Sequence, residues 1–513
     1  MNEHAPILVG AGQFCPALFD PRQARSPVEL AARAAALALA DCHSIAPIEP
    51  LIDALAFVRL FSDSAPRFRS PFGGSAKPPV SVARRLHLAP RASIYSLIGG
   101  NCPQQLINEA AGAIARREFQ AVLICGAEAL RTTAEAVRAG LVLDWGEHPP
   151  GDCEDRGPGA PMSSEHERRH GVGPPVNTYP LFEHAIRGAR RASVTDHLAS
   201  MARLFARLNQ TAADNPHAQF GVRRSAAELA AVNSGHRWLG HPYPKWLNAQ
   251  DRVDQAAAVI LTSVGTATRL GIDPTRWVYL HGCADSDEGR FVLERVDYAR
   301  SPAMEAAVQA ALEMAGIGVR EISQFDLYSC FPSAVELACQ ALKIREDDER
   351  DLTVTGGLPF FGGPGNNYSL HAVAEMCSRL RARPGQFGLV LANGGCLSKE
   401  SCGIYSTQPT AVPWCAESPR HHQRGSDLLR GPPVTEVPSG EAVIETYTVV
   451  HVRGVPERGI VIGRLDDGVR FVANTPPGRA DVLHWMMNAE PLGARGRVQN
   501  DGGLNTFLPH PFA

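Results

Sequence analysis

The chain has almost no excess charge: 50 Lys+Arg stand against 53 Asp+Glu, a formal net charge of −3. That balance removes the global electrostatic case for nucleic acid or an anionic membrane surface. No apolar run approaches the ~18 residues that a bilayer-crossing helix needs. The start, MNEHAPILVGAGQF, lacks a basic segment followed by a long apolar stretch, so no secretory signal is expected. The 12 cysteines stand singly, many in apolar runs (Cys125, Cys339, Cys377). No C-x-x-C pair or Cys/His group has zinc spacing, so no metal is expected. The thiols read as buried groups in a reducing cytoplasm.

What is present is an ordinary globular composition, 44% hydrophobic, in 513 residues. That length amounts to roughly three or four domains, although α/β halves can merge into one body. A faint internal repeat sets the organisation. Ser26-Pro27-Val28-Glu29 opens an alanine-rich helix with a capping-box pattern. Ser301-Pro302 opens a similar one, AMEAAVQAALEMAGI. Ser301 follows Ser26 by 275 residues, Asp326 follows Asp53 by 273, and the strand run starting at Gly388 follows that at Ala121 by 267. Near-constant offsets in one order point to two homologous α/β halves. Short β-branched runs between helices point to mainly parallel, buried strands.

Residues 131–241 interrupt this repeat. Their first part is rich in Pro and Gly (GEHPPGDCEDRGPGAP) and reads as loop. Their second part (SVTDHLASMARLFARLNQTAA) has helical periodicity, and long insertions of this kind usually cover a site. Residues 411–437 turn Pro- and Arg-rich, as a linker does. Beyond them EAVIETYTVVHV and RGIVIGRL read as strands, with Asp467-Gly468 marking a hairpin, so a small β-barrel or sandwich is expected there. This tail carries Arg479, Arg495 and Arg497 but lacks the interleaved aromatics of a single-strand binder, which argues against nucleic acid.

Five runs occur in one order: GGNCPQQLINEAA, HPYPKWLNAQDRVDQAAAVIL, YSCFPSAVELACQAL, GGLPFFGGPGNNYSLHAVAEM and LVLANGGCLSKESCGIYS. Together they resemble the thiolase superfamily over about residues 6–409, most closely its thiolase-like proteins type 1. The resemblance implies an α/β thiolase fold of two homologous βαβ halves, layered αβαβα, with an inserted loop domain and a small C-terminal β-barrel. The boundaries implied are 1–130 plus 242–275 for the first half, 131–241 for the insertion and 276–410 for the second half. A linker at 411–437 and an OB-like β-domain at 438–513 follow. The family handles acyl-CoA, which implies an acyltransferase of acetyl-CoA acetyltransferase type in lipid metabolism. The alternative is a non-catalytic binder of CoA or acyl-CoA. CoA is then substrate or ligand rather than a tightly bound cofactor. Both a monomer and a homodimer fit the sequence.

A thiolase needs a thiolate, a second cysteine as acid/base, a histidine, and donors for the thioester oxyanion. The resemblance places these four roles at Gly100, Ala392, Gly363 and Tyr328, so every one is altered. Cys102 is the displaced thiol, at a helix start that favours an anion. Tyr328 is a possible oxyanion donor, and His371 is the imidazole nearest Gly363. Against each stands a bland alternative: a small N-terminal core residue for Cys102, packing for Tyr328, a helix-interior residue for His371. Cys396 and Cys402 lie out of register with the acid/base position. His236 and Arg237 are candidates for CoA contact and Trp238 reads as packing, but no ligand set follows for CoA.

Overall fold

A computed structural model describes residues 2–410, 414 and 429–512, so most of the expected linker at 411–437 lies outside the described residues. Ten strands form one sheet. Its order is Ile322–Leu327, Phe387–Gly394, Lys399–Ser406, Val278–Asp287, Pro6–Phe14, Asp254–Ser263, Ala121–Ala129, Ile52–Phe57, Ala92–Tyr95 and Glu154–Asp155. The two halves join where Ile7 pairs with Tyr279 and Leu8 with Val278. Outward from Pro6–Phe14 the pairings run antiparallel, antiparallel, parallel, ending at Ile52–Phe57. Outward from Val278–Asp287 they run in the same sequence, ending at Ile322–Leu327. The repeat read from the offsets is therefore a repeat of strand order and direction.

The alanine content of the two outer helices has a steric cause. A Cβ on Gly10 would stand 2.2 Å from the carbonyl oxygen of Ala38 in the helix Pro27–Asp41. A Cβ on Gly282 would stand 2.1 Å from that of Ala311 in the helix Pro302–Ala315. In both halves helix backbone lies directly on strand backbone, which only small side chains allow. Ser26 caps the first helix through a complete capping box with Glu29, and Ser301 caps the second. Between the halves lie the helices Cys102–Ala115 and Tyr368–Ala382, whose Leu106, Ile107, Leu370 and Val373 share one core with Val259, Val278 and Val390.

Beyond its opening loop the inserted segment is helical, with Pro175–Ala189 and Val194–Asp214 as its longest elements. Their Leu181, Phe182, Leu204 and Phe205 join the core of the second half beside Phe325, Leu327 and Val335. The insertion thus has no core of its own. Its end, Trp238–His241, pairs with the C-terminal sheet (His241 with Val449, Gly240 with Val450), and the short strand Tyr243–Pro244 pairs back on it. Such a long-range strand pairing leaves no local signal in the chain.

The C-terminal strands are Gly440–Val452, Val455–Leu465, Arg470–Asn474, Arg495–Asp501 and Leu504–Pro509. The first pairs with the second and the fourth, the second with the third, the third in parallel with the fifth, and the fifth with the fourth. These pairings close a ring, and closure removes the exposed edges of a small sheet. The helix Ala480–Asn488 supplies Val482, Leu483 and Met486 to the core of Phe471 and Phe507. Arg470 fastens this barrel to the body: its guanidinium holds the Glu445 carboxylate and donates to the carbonyls of Leu293 and Arg295.

Candidate functional site

The loop 99–101 enters the helix Cys102–Ala115 between the two halves. A Cβ on Gly100 would stand 2.2 Å from Tyr328 Oη and 2.6 Å from the carbonyl oxygen of Asn393. The space a side chain would need at position 100 is thus filled by the Tyr328 hydroxyl. Tyr328 directly follows the strand Ile322–Leu327, and its N–H donates to the Leu391 carbonyl. Its ring meets Tyr368 edge-on at 5.5 Å. Burial pushes its phenol well up, so it stays a neutral donor.

Cys102 is buried, and burial pushes its thiol up to about 12. Lys399 lowers it too little to offset this, and the helix start does not leave a thiolate at neutral pH. At Gly363 there is ordinary room: the nearest atom to a Cβ would be the Gln250 carbonyl oxygen at 3.4 Å. Ala392 is fully buried. Cys396 is buried and pushed up to about 12, and Cys402 is pushed up further.

His371 faces away from these groups. It lies in the helix Tyr368–Ala382 and pairs through Nδ1 with Gln13 Oε1 at 2.8 Å, on the first strand. Phe361 packs edge-on to its ring. Burial, reinforced by His217, holds it down at about 3. It is therefore neutral when folded, whereas the unfolded chain protonates it near 6.5. Between those values the unfolded state binds more protons, so stability falls as the solution is acidified. His371→Gln is expected to lower that slope by about one proton, read from denaturation midpoints between about pH 4 and 7.

The structure brings Cys102 and Tyr328 to one place and leaves His371 outside it. His236 is also structural: it is buried, bonds to the Leu229 carbonyl at 2.8 Å and stacks on Trp246. Several polar groups that the sequence reading passed over line the same place. Asn366 clamps the loops, donating to the Arg59 carbonyl and accepting from the Gly99 N–H. Asn101 Oδ1, Asn393 Oδ1, both side-chain atoms of Asn367 and both carboxyl oxygens of Glu400 are buried without a hydrogen-bond partner among the described residues. Glu400 lies directly across the strand pair from Asn393, so the two side chains share a face. Burial holds Glu400 far up as a neutral acid. A signal was present: asparagine and glutamate set inside apolar runs (GGN, NNY, LAN, KES). Position alone did not show which face they take.

Two cavities lie nearby. One of about 380 Å³ is lined by Leu106, Ala110, Ala113, Phe119, Arg116 and Arg156, on the flank of the helix Cys102–Ala115. One of about 80 Å³ reaches Glu128, whose Oε1 would touch a Cβ on Gly365 of the glycine loop at 2.4 Å. Burial raises that carboxyl to about 8.

A family model described as the thiolase-like protein type 1 additional C-terminal domain matches residues 427–503. A 159-residue stretch is 27% identical to a 3-ketoacyl-CoA thiolase of Salmonella heidelberg, covering 28% of this chain and 35% of that protein, so the match spans about a third of the curated relative. Human mitochondrial 3-ketoacyl-CoA thiolase, solved in complex with CoA, shares the fold at 14% identity and a TM-score of 0.56, covering 79% of this chain and 98% of that one. A crystal structure described as a monomeric SCP2-thiolase-like protein type 1 from Mycobacterium smegmatis is 38% identical, with 99% of this chain and all of that chain covered and a TM-score of 0.84. With that identity across the whole of both chains, and with the C-terminal domain of the same group, the chain belongs to the thiolase-like protein type 1 family of the thiolase superfamily.

Proposed function

We propose that this protein binds CoA or an acyl-CoA thioester in the thiolase body without forming an acyl-enzyme. The observation that carries the reading is the Tyr328 hydroxyl standing where a nucleophile's side chain at position 100 would be. A thioester exchange also needs a thiolate, and the thiols beside Tyr328, Cys102 and Cys330, are both held protonated by burial. The unpartnered polar atoms of Asn101, Asn367, Asn393 and Glu400 support a polar ligand at this place, since buried polar groups are normally satisfied. A thioester carbonyl accepts hydrogen bonds, and the Tyr328 phenol and the neutral Glu400 acid are donors of the right kind, while the free Oδ1 atoms of Asn101 and Asn393 would accept from N–H or O–H groups of the ligand.

The acyltransferase reading routes through Cys102 with Tyr328 or His371, and the position of His371 weighs against it. Incubation with acetyl-CoA and longer acyl-CoAs, followed by intact-mass analysis, is expected to show no adduct on Cys102. Calorimetry is expected to show binding that survives Cys102→Ser. An acyl adduct lost in Cys102→Ser would reverse the assignment, and absence of any CoA binding would remove it.

Three finer points belong to the same reading. The ring order of the C-terminal strands, with a helix between the third and fourth, supports an OB-like barrel. Glu154–Asp155 covers the edge of the ten-stranded sheet, and Asp155 pairs with Arg59, which supports a monomer like the Mycobacterium smegmatis relative. Free thiols throughout the described residues agree with a reducing cytoplasm.

A further inference from the structure

Away from that site the described residues contain one group of side chains spaced for a metal ion: Glu183, His197 and Glu336, whose ligand atoms all lie within 4.8 Å of one another. Glu183 comes from the helix Pro175–Ala189, His197 from Val194–Asp214 and Glu336 from Pro332–Leu342. The first two are the inserted helices, and the third belongs to the second half. All three side chains are at most 2% exposed. His197 Nε2 meets Glu183 Oε1 and lies 3.9 Å from Glu336 Oε2.

Two features separate this group from an ordinary buried ion pair. Neither carboxyl oxygen of Glu336 has a hydrogen-bond partner among the described residues, although the side chain is fully buried and aimed at His197 and Glu183. The other carboxylate is already oriented: the Tyr243 hydroxyl donates to Glu183 Oε2 at 2.6 Å and sits 2.8 Å from Ser333 Oγ. That is how a residue behind a metal ligand fixes the ligand's direction. The nearest fixed cation, Arg190, keeps Nη1 3.4 Å from Glu336 Oε2, but its Nη2 is engaged by Glu346 and its side chain is 37% exposed. It is a single cation acting at a distance on two buried carboxylates, and it is shared with Glu346. Two carboxylates excluded from water need more than this, and a divalent cation supplies it.

We propose that Glu183, His197 and Glu336 bind a divalent cation of the zinc class, which pins the inserted helices to the second half of the body. One imidazole with two carboxylates is a donor set that zinc accepts, with a fourth position left for water. The inference does not depend on the binding of CoA. The competing state is a metal-free carboxyl pair that shares a proton.

The test uses the full chain without an affinity tag. Elemental analysis of the purified protein is expected to give near-stoichiometric zinc. Chelator-stripped protein is expected to take up Co²⁺ with visible d–d absorption and to gain thermal stability on adding Zn²⁺. Glu336→Gln and His197→Gln are expected to lose the metal. Tyr243→Phe, which keeps all three ligands, is expected to weaken zinc binding roughly tenfold. If the ligand variants fail to fold, the wild-type uptake and Tyr243→Phe still decide. A stripped wild-type protein that takes up neither Zn²⁺ nor Co²⁺, with an unmoved melting temperature, overturns the proposal in favour of the shared proton.

Discussion

Gly100→Ala is expected to destabilise the protein by about 1–3 kcal/mol, the usual cost of forcing an extra carbon into a packed core. The added Cβ meets the Tyr328 hydroxyl at 2.2 Å and the Asn393 carbonyl oxygen at 2.6 Å. The tyrosine ring can be removed, but the carbonyl belongs to the strand Phe387–Gly394, inside the sheet. Tyr328→Ala in the same chain is therefore expected to recover part of the loss and not all of it. A double-mutant cycle by chemical denaturation reads this as a coupling of about 0.5–3 kcal/mol. For the same reason Gly100→Cys alone is expected to stay unacylated by acyl-CoA. A stable Gly100→Cys variant that forms an acyl-enzyme would show that the position still accepts a nucleophile, and the binding-only reading would fall.

Arg470→Met is expected to cost about 3 kcal/mol or more, the scale of breaking one side of a buried ion pair. Arg470 is fully buried, pairs with Glu445 through two nitrogens, and serves the Leu293 and Arg295 carbonyls across the boundary with the body. Methionine leaves both carbonyls without that donor and Glu445 with Arg464 alone. Arg464 is 35% exposed, so Arg464→Met, the control, is expected to cost no more than about 1 kcal/mol. Burial pushes the Glu445 carboxyl up, but Arg470 and Arg464 outweigh it and its value lies below the ordinary range. Its contribution is thus fully present above the unfolded carboxylate value of about 4.3 and is lost as pH falls through the lower folded value. Arg470→Met is expected to lose this part of the acid dependence along with the stability. Equal midpoints for Arg470→Met and Arg464→Met would show that the boundary contacts carry little.

The halves were legible because each repeats a local signal. A Ser-Pro cap, an alanine-rich helix and a β-branched run reappear in order, and the structure adds that Gly10 and Gly282 let those helices touch the sheet. The C-terminal strands were legible from alternation and the Asp467-Gly468 turn, but their closure into a ring rests on long-range pairings that leave no local signal. The candidate site was half legible. Motif position identified Gly100, Tyr328, Gly363 and Ala392. It did not indicate that Tyr328 and Gly100 exclude each other's side chains, because 228 positions separate them. His371 looked near Gly363 by count, yet helical rotation turns it toward Gln13.

By itself the sequence determined the elements and the doubled architecture, and it picked out Gly100, Tyr328, Gly363 and Ala392 by motif, since caps, periodicity and motif identity act over a few residues. Only the tertiary structure decided what surrounds them: the Tyr328 phenol against Gly100, the Cys102 thiol too buried to ionise, and buried asparagine and glutamate side chains. The same holds for the Glu183, His197 and Glu336 group and for the Arg470 clasp. Each joins distant segments, and burial sets the charge state of such groups only once the chain has closed around them.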